Sequence, residues 1–91
     1  SIPLGTATFM MFYVYMLKGE NSKIIKTYVG YTNNLKLRLK KHNSGRGAKS
    51  TRGYKWKIIY KKRFYDKRLA MSFEYKLKKD QKKRKHLLSI S

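Results

Sequence analysis

Short runs of β-forming residues occur at three places along the chain. Residues 12–17 and 24–31 are rich in aromatic and β-branched side chains, and a turn-forming cluster at 19–22 separates them, which predicts a hairpin of two strands. Residues 56–60 predict a third strand, with weaker alternation beyond it. Gly30 lies inside the second run and indicates a bulge or a close approach of the backbone.

Three further stretches have the spacing or the capping signals of helices. The asparagine pair at 33–34 offers caps for a helix over 35–42, which Gly45 ends. Asp66 and Asp80 are cap candidates for two more helices, the second of them short. The helix after Asp66 carries an apolar stripe that is predicted to face the core, formed by Leu69, Ala70, Phe73 and Leu77.

The order strand, strand, helix, strand, helix, helix predicts an α/β fold. We expect a three-stranded, mainly antiparallel sheet flanked by helices. The length of 91 residues indicates one domain, which we place at 11–91. Residues 1–10 lack the basic start and the long apolar stretch of a signal peptide, and we interpret them as a vector-derived remnant or a frayed native terminus.

The chain is strongly basic. It carries 24 Lys and Arg against four Asp and Glu, a formal net charge of +20, which favours nucleic acid as the partner because binding releases counterions. An anionic membrane surface is the alternative partner. We favour nucleic acid, since the cations are spread over the whole chain and no apolar run approaches the roughly 20 residues of a spanning helix. The lack of cysteine suits a reducing, cytoplasmic setting.

Several short motifs follow one another along the chain. They are Tyr-Val-Tyr at 13–15, Tyr-Val-Gly at 28–30 and Arg-Leu-x-x-His at 38–42, with Glu74 on a later predicted helix. A run His-Asn-x-Gly-x-Gly-Ala-x-x-Thr-Arg occupies 42–52. Together, in this order and spacing, they resemble the GIY-YIG nuclease domain over nearly the whole chain, and its small stand-alone bacterial members most of all.

The resemblance implies a hydrolytic phosphodiesterase that cuts DNA with one divalent metal ion. In that scheme Tyr28 is the general base for the attacking water, and Tyr15 orients water or phosphate. A free phenol keeps its proton to about pH 10, so such a base requires a cation beside it. Arg38 is that cation and also holds the scissile phosphate. His42 bonds the phosphate or assists proton transfer.

Each of these residues also has an ordinary structural interpretation. Tyr15 and Tyr28 fit the core of an amphipathic strand, and Arg38 fits a solvated surface cation in a chain with 24 of them. A lone histidine on a helix, such as His42, is usually structural. Their joint order and spacing favour the functional interpretation.

Glu74 is the expected ligand for Mg²⁺ or Mn²⁺. The resemblance places the metal-binding glutamate of the family at this position. Elimination agrees, because the chain has four carboxylates, of which Glu20 lies in a predicted turn while Asp66 and Asp80 are predicted caps. A hard cation takes carboxylate, water and phosphate oxygens. The alternative is an ion pair four residues apart with Lys78.

Further residues are expected to contact the nucleic acid. Tyr13 shares a strand face with Tyr15, although it replaces the glycine of the family name. Gly30 allows a close approach to the substrate. Three cations in the glycine-containing loop at 45–53 are candidates for backbone phosphate contacts, namely Arg46, Lys49 and Arg52.

These expectations add up to a metal-dependent DNA endonuclease or nicking enzyme. A domain of this size has no separate recognition module, so specificity comes from DNA shape, such as branched or nicked DNA in repair or recombination, or from a protein partner. RNA is the less favoured substrate. The rival hypothesis is a non-catalytic nucleic-acid-binding protein on the same fold, and a weaker third is a basic protein bound to a membrane surface or to the chromosome.

Overall fold

A computed structural model describes residues 11–91, and the interpretation of residues 1–10 lies outside this range. Strands β1 (Phe12–Asn21), β2 (Ile24–Thr32) and β3 (Lys55–Phe64) form one sheet in the order β2-β1-β3. Both pairings of the central strand β1 are antiparallel. The predicted three-stranded antiparallel sheet is therefore confirmed.

The hairpin between β1 and β2 turns later than the sequence predicted. Residues 19–21 belong to β1 and pair with the start of β2, so their assignment to the turn was wrong. The turn itself consists of Ser22 and Lys23, and Ser22 has a positive φ of 54°. Cross-strand hydrogen bonding extends both strands until only two residues remain to reverse the chain.

Three α-helices and a short 3-10 turn complete the part of the fold that the structure describes. Helix α1 (Leu35–Asn43) follows β2, the 3-10 turn Lys49–Thr51 lies in the loop before β3, and α2 (Lys67–Lys79) and α3 (Gln81–Ser89) follow β3. The predicted caps are confirmed, because the side chains of Asn34, Asp66 and Asp80 accept backbone N–H groups in the first turns of these helices, as N-caps do. Within residues 11–91, no helix combines the length and apolar character needed to cross a membrane.

The sheet is covered on both faces. We call the face that meets α1 the α1 face; it contains the buried cluster Tyr15, Leu17 and Trp56. The opposite α2 face packs Val14, Met16 and Val29 against α2 and α3. Since successive side chains of a strand point to opposite faces, β1 supplies both layers of the core.

Helix α2 meets the sheet through part of its predicted stripe. Ala70 and Leu77 are buried in the core of the α2 face, and Phe73 packs against it. Leu69 is 59% exposed, so its assignment to the stripe was wrong. The helix presents a narrower apolar face to the sheet than its sequence indicated.

Strand β3 contains the one irregularity recorded in the pairing of residues 11–91. Leu17 pairs with Ile58 while the preceding Met16 pairs with Tyr60, so Ile59 has no partner. This β-bulge shifts the alternation of the strand. Before the bulge, even-numbered residues such as Trp56 and Ile58 face the α1 side. After it, the odd-numbered residues Lys61 and Arg63 face that side.

Candidate active site

Helix α1 carries two polar side chains to the α1 face of the sheet. Arg38 and His42 are four residues apart and therefore lie one above the other on the helix. Leu35 and Leu39 dock the helix on the cluster of that face. Docking takes the imidazole of His42 fully inside, whereas Arg38 remains half-buried.

The imidazole of His42 is hydrogen-bonded at both nitrogens. Nε2 lies 3.0 Å from the hydroxyl of Tyr15, and Nδ1 lies 3.0 Å from the hydroxyl of Thr51. The ring of Tyr28 packs beside it, with 4.8 Å between ring centroids. Burial lowers the pKa of His42, and the charge of Arg38 lowers it further. The imidazole is therefore neutral at neutral pH.

Arg38 lies against two phenols. Its Nε–H donates to the hydroxyl of Tyr15 at 3.4 Å. Hydrogen bonding to Tyr15 raises the pKa of Arg38, with a smaller contribution from Tyr28. Burial raises the pKa of Tyr15, and the hydrogen bond from Arg38 opposes this shift. The result is a fixed cation beside two phenol groups, one of which is held protonated.

The two tyrosines differ in access. Tyr15 is 1% exposed and has its hydroxyl engaged by His42 and Arg38, whereas Tyr28 is only partly buried. Their ring centroids are 6.3 Å apart. Tyr28 is therefore the phenol that a water or a phosphate can reach, and Tyr15 is the one that the protein encloses.

Two glycines make room for these side chains. A Cβ on Gly30 would stand 2.6 Å from the hydroxyl of Tyr15, so the ring of Tyr15 lies over this position in the neighbouring strand. A Cβ on Gly47 would overlap Nδ1 of His42. The sequence prediction of a close approach at Gly30 is confirmed, but the neighbour is Tyr15 and the bulge lies on β3 instead.

Hydrogen bonds tie the loop after α1 to strand β3. The side chain of Asn43 accepts from the backbone N–H of Trp56 at 2.6 Å and donates to its carbonyl at 3.1 Å. The indole N–H of Trp56 donates to the carbonyl of Thr51 at 2.7 Å. These bonds hold the buried Thr51 against the imidazole of His42. The sequence predicted phosphate contacts for this loop and no role for Thr51. Thr51 is nevertheless the threonine of the His-Asn-x-Gly-x-Gly-Ala-x-x-Thr-Arg run at 42–52.

Glu74 lies in the middle of α2, with its side chain 18% exposed. Its recorded contact is an ion pair with Lys78, at 3.5 Å, which was the alternative considered from the sequence. Burial is the largest cause of the raised pKa of Tyr15, and the negative charge of Glu74 makes the smallest contribution to it. The structure brings four of the predicted residues into contact, whereas Glu74 contacts Lys78.

The ligand chemistry around Glu74 matches a hard cation only in part. A partly buried carboxylate is the type of oxygen donor that Mg²⁺ takes, and Mg²⁺ usually keeps several waters. Among residues 11–91, no three His, Asp or Glu side chains are close enough together to hold a metal by themselves. A cation at Glu74 would therefore share its coordination with water and substrate oxygens.

A second row of polar side chains crosses the same face. Tyr13 pairs with Arg63 and Tyr15 pairs with Lys61 in the register of β1 and β3, so both cations share the face of the tyrosines. Tyr13, Lys61 and Arg63 line one shallow cavity. Sequence reasoning missed the two cations, because the bulge at Ile59 decides which side of the sheet they face.

The cations of the loop at 45–53 are at the surface. Arg46, Lys49 and Arg52 are exposed, and Arg46 lines a groove with Lys40 and Lys41 of α1. None of the three has a recorded contact with the four clustered residues. They flank the helix that carries Arg38 and remain candidates for contacts outside the cluster.

The fold and the cluster define the class of this protein. The model of the GIY-YIG catalytic domain matches residues 11–87. The chain therefore belongs to the GIY-YIG nuclease family.

Within that family, the chain is similar to small bacterial UPF0213 proteins. It is 49% identical to one from Clostridium perfringens over 70 residues, covering 76% of this chain and 72% of that protein. It is 45% identical to one from Oceanobacillus iheyensis over 67 residues, covering 72% and 74%. The solution NMR structure of a UPF0213 protein from Bacillus halodurans shares 37% of residues with it at a TM-score of 0.52, covering 90% of this chain and 86% of that one. The predicted resemblance is confirmed.

Proposed function

We propose that this protein is a divalent-metal-dependent DNA endonuclease that hydrolyses phosphodiester bonds. The observation that carries the proposal is the cluster of Tyr15, Tyr28, Arg38 and His42 on one face of the sheet. A phosphodiester needs a cation for its charge, a group that takes a proton from water, and a fixed geometry. Arg38, Tyr28 and the pair of Tyr15 with His42 supply these in turn.

Tyr28 is our candidate for the general base. It is the accessible phenol of the pair, and Arg38 is the cation that stabilises negative charge on it. The hydroxyl of Tyr15 is enclosed between Nε2 of His42 and Nε–H of Arg38, so Tyr15 acts by holding Arg38 in place for the phosphate. Tyr28 and Tyr15 have the same phenol group, and their different burial gives them different roles.

Glu74 would hold Mg²⁺ or Mn²⁺ near this face. The bound cation supplies charge neutralisation at the leaving oxygen of the scissile phosphate. Lys78 is 52% exposed, so its ammonium group can move away from the carboxylate when a cation binds. A single carboxylate favours one metal ion over two.

The DNA would lie across the α1 face. Lys61 and Arg63 extend the cluster towards Tyr13, and Arg46, Lys49 and Arg52 offer further cations beside α1. These contacts are of the kind that position phosphates and do not read bases. We therefore propose selection by DNA shape, with branched or nicked DNA of repair or recombination as the first candidates, or by a protein partner.

The test is cleavage of supercoiled plasmid and of branched DNA at low salt, with Mg²⁺ or Mn²⁺ against EDTA. Glu74→Gln should lose at least about 100-fold in rate, because the carboxylate ligand is gone while size and shape are kept. Its DNA affinity should not fall, since one negative charge has been removed. Glu20→Gln is the matched control, because that carboxylate is exposed at the far end of β1, and it should cleave like the wild type.

A second function has one specific observation in its favour. Glu74 already has a partner in Lys78, as expected for a helix that only needs a surface ion pair. A non-catalytic nucleic-acid-binding protein predicts tight DNA binding by wild type and Glu74→Gln alike, with no cleavage by either under any metal. That outcome would overturn the nuclease proposal.

A further inference from the structure

The hydroxyl of Thr51 decides the direction of every hydrogen bond around His42. A threonine hydroxyl has one proton. Oγ1 of Thr51 lies 2.7 Å from the carbonyl oxygen of Ala48, and two oxygens at this distance need a proton between them. Thr51 therefore donates to Ala48, and its oxygen can only accept from any other neighbour.

The remaining bonds follow in sequence. Nδ1 of His42 lies 3.0 Å from the same oxygen of Thr51, so Nδ1 carries the proton and donates. A neutral imidazole then has its lone pair at Nε2, which lies 3.0 Å from Tyr15, so the phenol donates to Nε2. Its oxygen is left to accept, and Nε–H of Arg38 approaches it at 3.4 Å.

The surroundings of the imidazole agree with a neutral, fixed ring. Its neighbours are Arg38 from its own helix, Tyr15 from β1, Tyr28 from β2, Thr51 from the loop and Trp56 from β3. None of these side chains is a carboxylate that could pair with a protonated ring, and Arg38 and burial both oppose a positive charge there. A buried donor or acceptor without a partner is costly, so the ring keeps the single arrangement that satisfies both nitrogens.

We infer that Thr51 is a positioning residue for the site: by fixing the tautomer of His42, it keeps the proton of Tyr15 turned inward and makes the phenol oxygen a hydrogen-bond acceptor towards the active site. This rests on the proposed function for its catalytic consequence. An acceptor at Tyr15 aligns the N–H groups of Arg38, whereas a phenol that did not donate to His42 would turn its proton towards the guanidinium, which has only donors.

The first test reads the tautomer directly. Nitrogen-15 NMR of the imidazoles separates protonated from unprotonated ring nitrogens, and couplings to the two ring carbon protons assign them. The protein contains two histidines, and the exposed His86 gives an internal comparison in the same spectrum. We expect a single tautomer with the proton on Nδ1 for His42 in the wild-type protein. A proton on Nε2 would overturn the inference.

The second test uses a matched pair of variants. Thr51→Ser keeps the hydroxyl, so the spectrum of His42 should match that of the wild type. Thr51→Val has the same shape without the hydroxyl, so His42 should show a mixture of tautomers. If Thr51→Val leaves His42 wholly protonated at Nδ1, Thr51 does not fix the tautomer. The wild-type spectrum decides the tautomer itself even if Thr51→Val fails to fold.

Cleavage then tests the consequence of the tautomer. With the DNA substrates above, Thr51→Val should lose about 10- to 100-fold in kcat with little change in KM, and Thr51→Ser should recover most of it. Equal kcat in both variants, despite a changed tautomer, would overturn the positioning role. A wild-type protein that cuts no DNA would count against the proposed function, and the NMR result would still confirm or refute the role of Thr51 in setting the ring.

Discussion

The polar side chains inside this small domain are fully engaged before any substrate arrives. Within residues 11–91, every buried side-chain nitrogen and oxygen has a hydrogen-bond partner. His42 and Thr51 are the two buried polar residues of the core, and each binds the other. Because unsatisfied buried groups are costly, these bonds hold Tyr15 and Arg38 in one geometry. A site that is organised in advance loses little energy to rearrangement in the transition state.

The titration of His42 predicts how stability depends on pH. Burial and Arg38 lower the pKa of His42 in the folded protein, so the unfolded chain binds more protons below about pH 6.5. The stabilisation is therefore complete above the unfolded pKa and is lost as the pH falls through it towards the folded pKa. Urea unfolding between pH 8 and pH 5 should show the free energy of unfolding decreasing on the acid side.

The matched variant for this prediction is His42→Gln, which has no imidazole to titrate. Its free energy of unfolding should be lower at pH 8 and should change less between pH 8 and pH 5 than that of the wild type. An equally steep dependence in both proteins would assign the acid sensitivity to other groups, and would count against a buried neutral imidazole.

Single residues were predictable from the sequence where a motif singled them out, and not where folding alone brought them together. The proximity of Arg38 and His42 follows from their spacing on one helix. Thr51 is nine residues further on in a loop, and only the 3-10 turn at Lys49–Thr51 and the bonds to Trp56 bring its hydroxyl to His42. No periodicity in the sequence encodes that contact.

At the scale of elements, the three strands and three helices of residues 11–91 were all predicted in order. The end of the first hairpin was misplaced, since the residues at 19–21 have turn-forming side chains but pair with β2. The faces of β3 were also not predictable beyond Ile59, because strict alternation would place Lys61 and Arg63 on the α2 face. A bulge depends on the register with the neighbouring strand, which the local pattern does not contain.

The bulge predicts that β3 tolerates the loss of one particular residue. Deletion of Ile59 would give a regular strand in which Lys61 and Arg63 still face the α1 side, because Ile59 has no partner. We expect a folded protein that is less stable by about 1 kcal/mol, since a half-buried apolar side chain is lost. Urea unfolding and a two-dimensional amide NMR spectrum would measure this.

Deletion of Lys62 is the control for that experiment. It removes an exposed side chain but moves Arg63 and Phe64 to the opposite faces, which takes Phe64 out of the core of the α2 face. This variant should be clearly less stable than the one lacking Ile59. The reverse order of stabilities would show that the alternation of β3 is not fixed by the bulge.

At the scale of the whole molecule, the net charge of +20 explains an attraction to polyanions but not which surface they contact. Charge of this size draws the protein to any polyanion, whichever face meets it. The α1 face adds geometry, because Lys61 and Arg63 stand in register with Tyr15 and Tyr13. The net charge sets the affinity for DNA whatever its sequence. The α1 face is expected to be the surface that the bound DNA prefers.

The orientation is testable by the salt dependence of DNA binding. The double variant Lys61→Gln/Arg63→Gln should bind more weakly and should lower the slope of log affinity against log salt by about 2, one for each phosphate contact. The pair Lys57→Gln/Lys62→Gln lies on the same strand with the same change in charge, but faces the α2 side opposite Lys18 and Val14. It should leave the slope nearly unchanged. Equal slopes for the two pairs would show that DNA has no preferred face.

Strand β1 places two different kinds of constraint on neighbouring residues. Tyr13 and Tyr15 belong to the α1 face, while Val14 and Met16 belong to the core of the α2 face. Under the proposed function, Tyr15 is constrained both by catalysis and by folding, because it is also buried in the core of the α1 face. A homologue without the enzymatic role would be expected to vary at Tyr13, which is only partly buried, and to keep Tyr15, Val14 and Met16 as core residues, so the fold could outlast the activity.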